Sequence, residues 1–78
     1  TISPNPVYNT LTFHYELQGD YPFRVSILDV YRRSVYSSLF FSDKGLIATE
    51  SLAAGLYLLQ IEDQRKQGVQ AFVKMDKQ

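Results

Sequence analysis

The chain has 78 residues, with 8 Lys+Arg against 8 Asp+Glu and no cysteine. That length supports one small domain, which on folding buries only about 60% of the surface its unfolded chain exposes. Charges scattered to a formal net of zero leave no basic stripe for nucleic acid or anionic lipid, and the missing thiols exclude disulfide staples, thiolate metal sites and thiol nucleophiles.

In chain order, Ser3-Pro4-Asn5-Pro6 comes first. Each proline lacks an N–H and extends the residue before it, so this segment belongs at a sheet edge, and one strand is expected within 2–8. Leu11, Phe13, Tyr15 and Leu17 then alternate with Thr12, His14 and Glu16, the pattern of a half-buried strand. After a turn at Gln18-Gly19-Asp20, Phe23, Val25 and Ile27 repeat it against Arg24 and Ser26, with Leu28 and Val30 suggesting cover on both faces. Weaker strands are expected at Ser34–Phe40 and 46–49, separated by Ser42-Asp43-Lys44-Gly45. The Ala-rich stretch 51–54 is cut off by Gly55, which leaves no helix of ordinary length. Tyr57, Leu59 and Ile61 form a third inward set. Following Gln64-Arg65-Lys66-Gln67-Gly68, a fourth is expected from Val69, Ala71, Val73 and Met75.

This spacing predicts an all-β fold: a small immunoglobulin-like antiparallel β-sandwich of about seven short strands, in one domain over 1–78. Phe13, Val25, Ile27, Tyr57, Leu59, Ile61 and Val73 are the expected shared core. The run 56–59 is of strand length, far short of the ~20 apolar residues of a membrane-crossing helix.

Chemistry has few candidates. His14 lies on the polar face of its strand, and Ser26, His14 and Asp29 lack the Gly-x-Ser-x-Gly elbow that would support a triad. Asp43 and the Glu62-Asp63 pair could offer oxygen ligands, but without a closely spaced acidic loop they read as solvated turns. No catalytic residue, cofactor or metal is expected. With 11 aromatics in the chain, Tyr31, Tyr36, Phe40 and Phe41 keep a second reading open, a fibronectin-like adhesive module holding a glycan or protein on an exposed planar row. Burial of those rings would count against it.

Pro4-Asn5-Pro6 at the front, Leu28-Asp29 with Arg33 and Val35 (compare Asp-x-x-Gly-Lys/Arg-x-Val), Leu52 with Gly55-Leu56-Tyr57 (compare Leu-x-x-Gly-Val-Tyr), and Phe72-Val73-Lys74 at the end keep a familiar order. Through them the chain resembles the C-terminal sorting domain of the type IX secretion system of Bacteroidetes. The motif and recognition positions implied are Pro4, Asn5, Pro6, Asp29, Gly55, Leu56, Tyr57, Gly68, Phe72, Val73 and Lys74. Gly55 is expected to allow a close or positive-φ turn that aims the next strand, and Tyr57 to fill the core with its hydroxyl at the rim. One departure stands out: Arg32 replaces the motif glycine, at a cost of roughly 1 kcal/mol if the position needs φ > 0.

The resemblance implies a non-catalytic export label, excised here from a longer precursor that carries its signal peptide upstream of Thr1. Its implied partners are an outer-membrane translocon, a cell-surface sortase and the passenger on the same chain, with no nucleic acid and no membrane insertion. The implied route runs through the periplasm to the outer-membrane surface or the medium. Residues 72–78 are expected to be read directly, with Lys74 and Lys77 facing solvent.

Overall fold

Strands of alternating pattern bury their apolar faces against each other in two stacked sheets. A computed structural model describes residues 2–3, 6–15, 22–64 and 67–76. Its strands are β1 (Ile2–Ser3), β2 (Thr10–His14), β3 (Phe23–Leu28), β4 (Ser34–Phe40), β5 (Lys44–Ala48), β6 (Gly55–Glu62) and β7 (Gln67–Lys74), with no helix among the described residues. One sheet has the order β1-β2-β5 and the other β4-β3-β6-β7, with antiparallel neighbours throughout. The predicted sandwich is therefore the fold, and the strand expected at Ser34–Phe40 has those bounds.

The core forms where the inward sets meet: Leu11 and Phe13 of β2 against Phe23, Val25 and Ile27 of β3 and Tyr57, Leu59 and Ile61 of β6, all buried. Each such side chain contributes about 1.5–3 kcal/mol relative to exposure. At one end Phe13 meets Phe23 and Phe40 edge-on, at centroid distances of 6.2 and 5.0 Å. Gly45 of β5 lies directly under this cluster, where a Cβ would overlap the Phe13 ring. The expected strand at 46–49 accordingly starts earlier, at Lys44, with Ile47 inward and Leu46 outward.

The segment expected as one strand over 2–8 divides between the sheets. Ile2 and Ser3 pair with Phe13 and Thr12 in the first sheet, whereas Val7 bridges in parallel to Lys74 in the second. The Val7 amide donates to the Val73 carbonyl and the Met75 amide to the Val7 carbonyl, both at 2.8 Å. Pro4 and Asn5, between these pairings, lie outside the described residues, as do Leu17, the turn at 18–20, and Lys77.

The last strand corrects the sequence reading. Val69, Val73 and Met75 are 58%, 42% and 44% exposed and Ala71 is exposed too, whereas Phe72 is buried and Lys74 is only 3% exposed. Val73 is therefore not a core residue, and Lys74 does not face solvent. Phe72 decides the face: its ring stacks on that of Tyr57 at 5.7 Å, and the two-residue period carries Lys74 inward with it. The Lys74 stem is buried while its ammonium reaches the Met75 carbonyl at 3.2 Å and the Asp76 carboxylate at 3.7 Å, so the charge snorkels to the rim. Val30, expected under cover, is 61% exposed because the chain leaves β3 after Leu28 and turns.

Candidate functional site

Four of the sequence landmarks converge on one end of the second sheet. The β6–β7 register sets Gly55 opposite Lys74, Leu56 opposite Val73 and Tyr57 opposite Phe72, so two motifs far apart in sequence form one strand pair. Alternation then divides their roles. Tyr57, Phe72 and Lys74 point into the sandwich, while Leu56 and Val73 form an exposed aliphatic pair on its outer face. Pro6 is half-buried and precedes Val7, which pairs with this end of β7.

Gly55 opens β6 at φ 155°, a backbone state that side chains strain, and no heavy atom lies within 4 Å of where its Cβ would stand. Conformation, not space, is what the glycine provides. Two residues on, the Tyr57 hydroxyl donates to the Ala53 carbonyl at 2.7 Å and ties the crossover between the sheets to the core. Thr49, fully buried in that crossover, has its hydroxyl satisfied by donating to the Tyr8 carbonyl at 3.2 Å.

Beside them Asp29 organises the β3–β4 hairpin. Its Oδ1 accepts the amides of Tyr31 and Arg33 at 2.9 and 3.0 Å, and its Oδ2 accepts Arg33 Nε at 2.9 Å. The Arg33 amide above all, outweighing partial burial and helped by the Tyr31 amide and the Arg33 guanidinium, holds the Asp29 carboxyl below its ordinary value. The Arg32 amide donates to the Asp29 carbonyl and the Asp29 amide to the Arg33 carbonyl, both at 3.0 Å, closing a three-residue loop with a register shift behind it. Arg32 sits in this loop at φ 66°, so the position does require a left-handed backbone and the arginine is held there under strain.

Gly68 is brought elsewhere. It pairs with Ile61 at the far end of the sheet, near the Tyr15 ring, as a strand residue and not a turn residue. At that end His14 Nε2 stands 3.4 Å from the Asp43 carboxylate, and the Tyr15 hydroxyl donates to Asp63 at 3.2 Å; burial first, and the Asp63 charge second, raise the Tyr15 pKa. Ser26 instead donates to Ser37, so Ser26, His14 and Asp29 occupy three separate places. No group of three or more His, Cys, Asp or Glu side chains fit to hold a metal occurs among the described residues.

The aromatic row needed for an adhesive surface does not form. Tyr36 and Phe40 pack against the core, and the exposed Tyr31 and Phe41 lie in the segments before and after β4, with the whole strand between them.

The fold and the converging motifs define a small all-β module whose distinctive residues serve architecture and surface. The chain belongs to the family of secretion system C-terminal sorting domains, whose model matches residues 1–75. A solved structure of PorZ, an essential bacterial surface component of the type IX secretion system of Porphyromonas gingivalis, superposes with a TM-score of 0.77 at 20% identity, covering 96% of this chain and 11% of that one. That likeness establishes the fold, and this chain spans about a tenth of that structure. No curated protein matches the chain. The protein is thus a type IX sorting domain of an exported protein, which decides against the adhesive reading, and a sorting signal is not itself a catalyst.

Proposed function

We infer that the chain acts as the C-terminal label of a longer precursor, crossing to the periplasm with its passenger and presented there, folded, to an outer-membrane translocon. The end of the sandwich that gathers the motifs is the surface read. After passage a cell-surface sortase removes the label and leaves the passenger at the surface; in a retained label the same end anchors the protein to the machinery. The observation that carries this reading is the facing of Gly55-Leu56-Tyr57 and Phe72-Val73-Lys74 across one strand pair, with Leu56 and Val73 turned outward. A neutral chain with exposed aliphatic side chains at its most constrained end suits a protein partner better than a phosphate or a lipid surface.

A reporter with a cleavable signal peptide, fused ahead of residues 1–78 and expressed in a host with a type IX machine, should appear at the surface or in the medium. Deletion of 72–78 should strand it in the periplasm. That deletion also removes the Phe72 ring from the core, so a fold-preserving partner is needed, and Lys74, being buried, cannot supply it. Leu56→Asp with Val73→Lys keeps a complementary cross-strand pair on the outer face. A folded double variant exported as well as the parent refutes recognition at this end, and an intact fusion that stays periplasmic refutes the sorting function of the chain.

A further inference from the structure

The β3–β4 hairpin and the start of β6 enclose an open hollow of about 230 Å³, lined by Asp29, Val30, Arg32, Leu56, Tyr57 and Leu58. Val30 and Leu56 are 61% and 52% exposed, and Val73 extends the aliphatic surface across the strand pair. Small-molecule sites run to roughly 300–1,000 Å³ and aim several polar groups at their ligand. This hollow is smaller, and of its two charged side chains Asp29 is already engaged by Arg33. Its dimensions suit one apolar side chain delivered by a protein.

Arg32 says what stands beside that side chain. Glycine would hold the φ of 66° at no steric cost, whereas arginine is strained there by roughly 1 kcal/mol. A strained residue whose side chain lines an exposed hollow points to use of that side chain. Among the described residues no ion pair engages Arg32, while its neighbour Arg33 is taken by Asp29. An aliphatic hollow rimmed by one uncommitted guanidinium is complementary to an apolar side chain with a carboxylate next to it.

Resting on the sorting reading above, we propose that this hollow is the docking point for an acidic, apolar protein segment of the export machinery, which inserts one side chain between Val30 and Leu56 and pairs its carboxylate with Arg32. Arg33 with Asp29 fixes the hairpin and takes no direct part. The contact is chain-specific, because it uses the side chain that stands where the motif has glycine.

The test uses the full-length fusion in a type IX host, with the intact fusion as the control for the sorting reading itself. Given export of the intact fusion, Arg32→Gly should raise or preserve the melting temperature while lowering the exported fraction about five- to tenfold. A structural role for Arg32 would move both readouts the same way. At the exposed Val30, either charge removes apolar contact, but Val30→Asp should in addition repel the incoming carboxylate and so lower export several-fold further than Val30→Lys. Wild-type export of Arg32→Gly, or equal export of the two Val30 variants, overturns the proposal. So does a purified dimer that Val30→Asp converts to monomer without change in export, since a second copy of the chain would then occupy the hollow.

Discussion

Replacing Gly45 by alanine should destabilise the domain although the residue lies in a strand, where glycine is ordinarily a weakness. A Cβ built on Gly45 overlaps two atoms of the Phe13 ring and comes within 2.8 Å of Phe40 Cε2. Both rings belong to one cluster, Phe13 and Phe40 each having its centroid 6.2 Å from that of Phe23, so a shift of either disturbs the packing of all three. Overpacking of this kind costs about 1–3 kcal/mol, and the reduced entropy of the unfolded chain returns about 0.4–1 kcal/mol. Taking the middle of each range, the net loss should be about 1.3 kcal/mol, a fall in Tm of roughly 5–10 °C for a domain of this size. Urea titration with an unchanged m value would place the effect on stability. Phe13→Leu vacates the contested space, so in a double-mutant cycle it should cost less in the Gly45→Ala background than alone. Equal or greater stability of Gly45→Ala, or additive costs in the cycle, would refute the close approach.

Gly55→Ala and Gly55→Val should each cost more than ~1 kcal/mol in chemical denaturation, because the φ of 155° and not a steric neighbour constrains the position. Tyr57→Phe should lose about 1 kcal/mol with the hydrogen bond to the Ala53 carbonyl, and faster amide exchange in 50–54 should accompany it. Asp29 has its folded pKa lowered, so the stability it contributes is present above the ordinary value of 3.8 and is lost as pH falls through the folded value. Thermal melts should therefore place Asp29→Asn below the parent at neutral pH, with the gap closing in acid; a gap independent of pH would refute the role of the carboxylate.

Binary alternation was enough to read β2, β3 and β6, because β3 and β6 each carry three consecutive apolar residues of one parity, and the two of β2, Leu11 and Phe13, are continued by Tyr15 just past its end, with polar residues opposite. It misread β7 because Val69, Ala71, Val73 and Met75 outnumber Phe72 in the apolar tally. Parity was settled by one large ring finding Tyr57, a contact between strands that no single-strand pattern contains. The candidate site was legible as motifs but not as a place. Nothing in the sequence sets Val73 opposite Leu56 or separates Gly68 from the other landmarks, since both follow from register. Arg32 was the exception: a missing glycine in a recognised pattern located the left-handed residue directly. Gly45 left a signal of a kind easily passed over, because a glycine beside Asp and Lys reads as turn chemistry, whereas its actual constraint comes from an aromatic ring more than thirty residues earlier.

The parallel bridge between Val7 and the end of β7 also decides how the domain answers mechanical load. The chain runs in the same sense on both sides of that bridge, so tension applied between the N-terminal and C-terminal sides drags the two segments past each other along their own axes. Both hydrogen bonds, Val7 to Val73 and Met75 to Val7, then bear the load together and in shear, instead of parting one after the other as in an opening zipper. Forced unfolding is governed by the height of the unfolding barrier and not by equilibrium stability. Tension between the two ends would therefore meet this bridge in shear, and resistance there is set by the barrier to breaking both bonds at once, a property that equilibrium melts do not report.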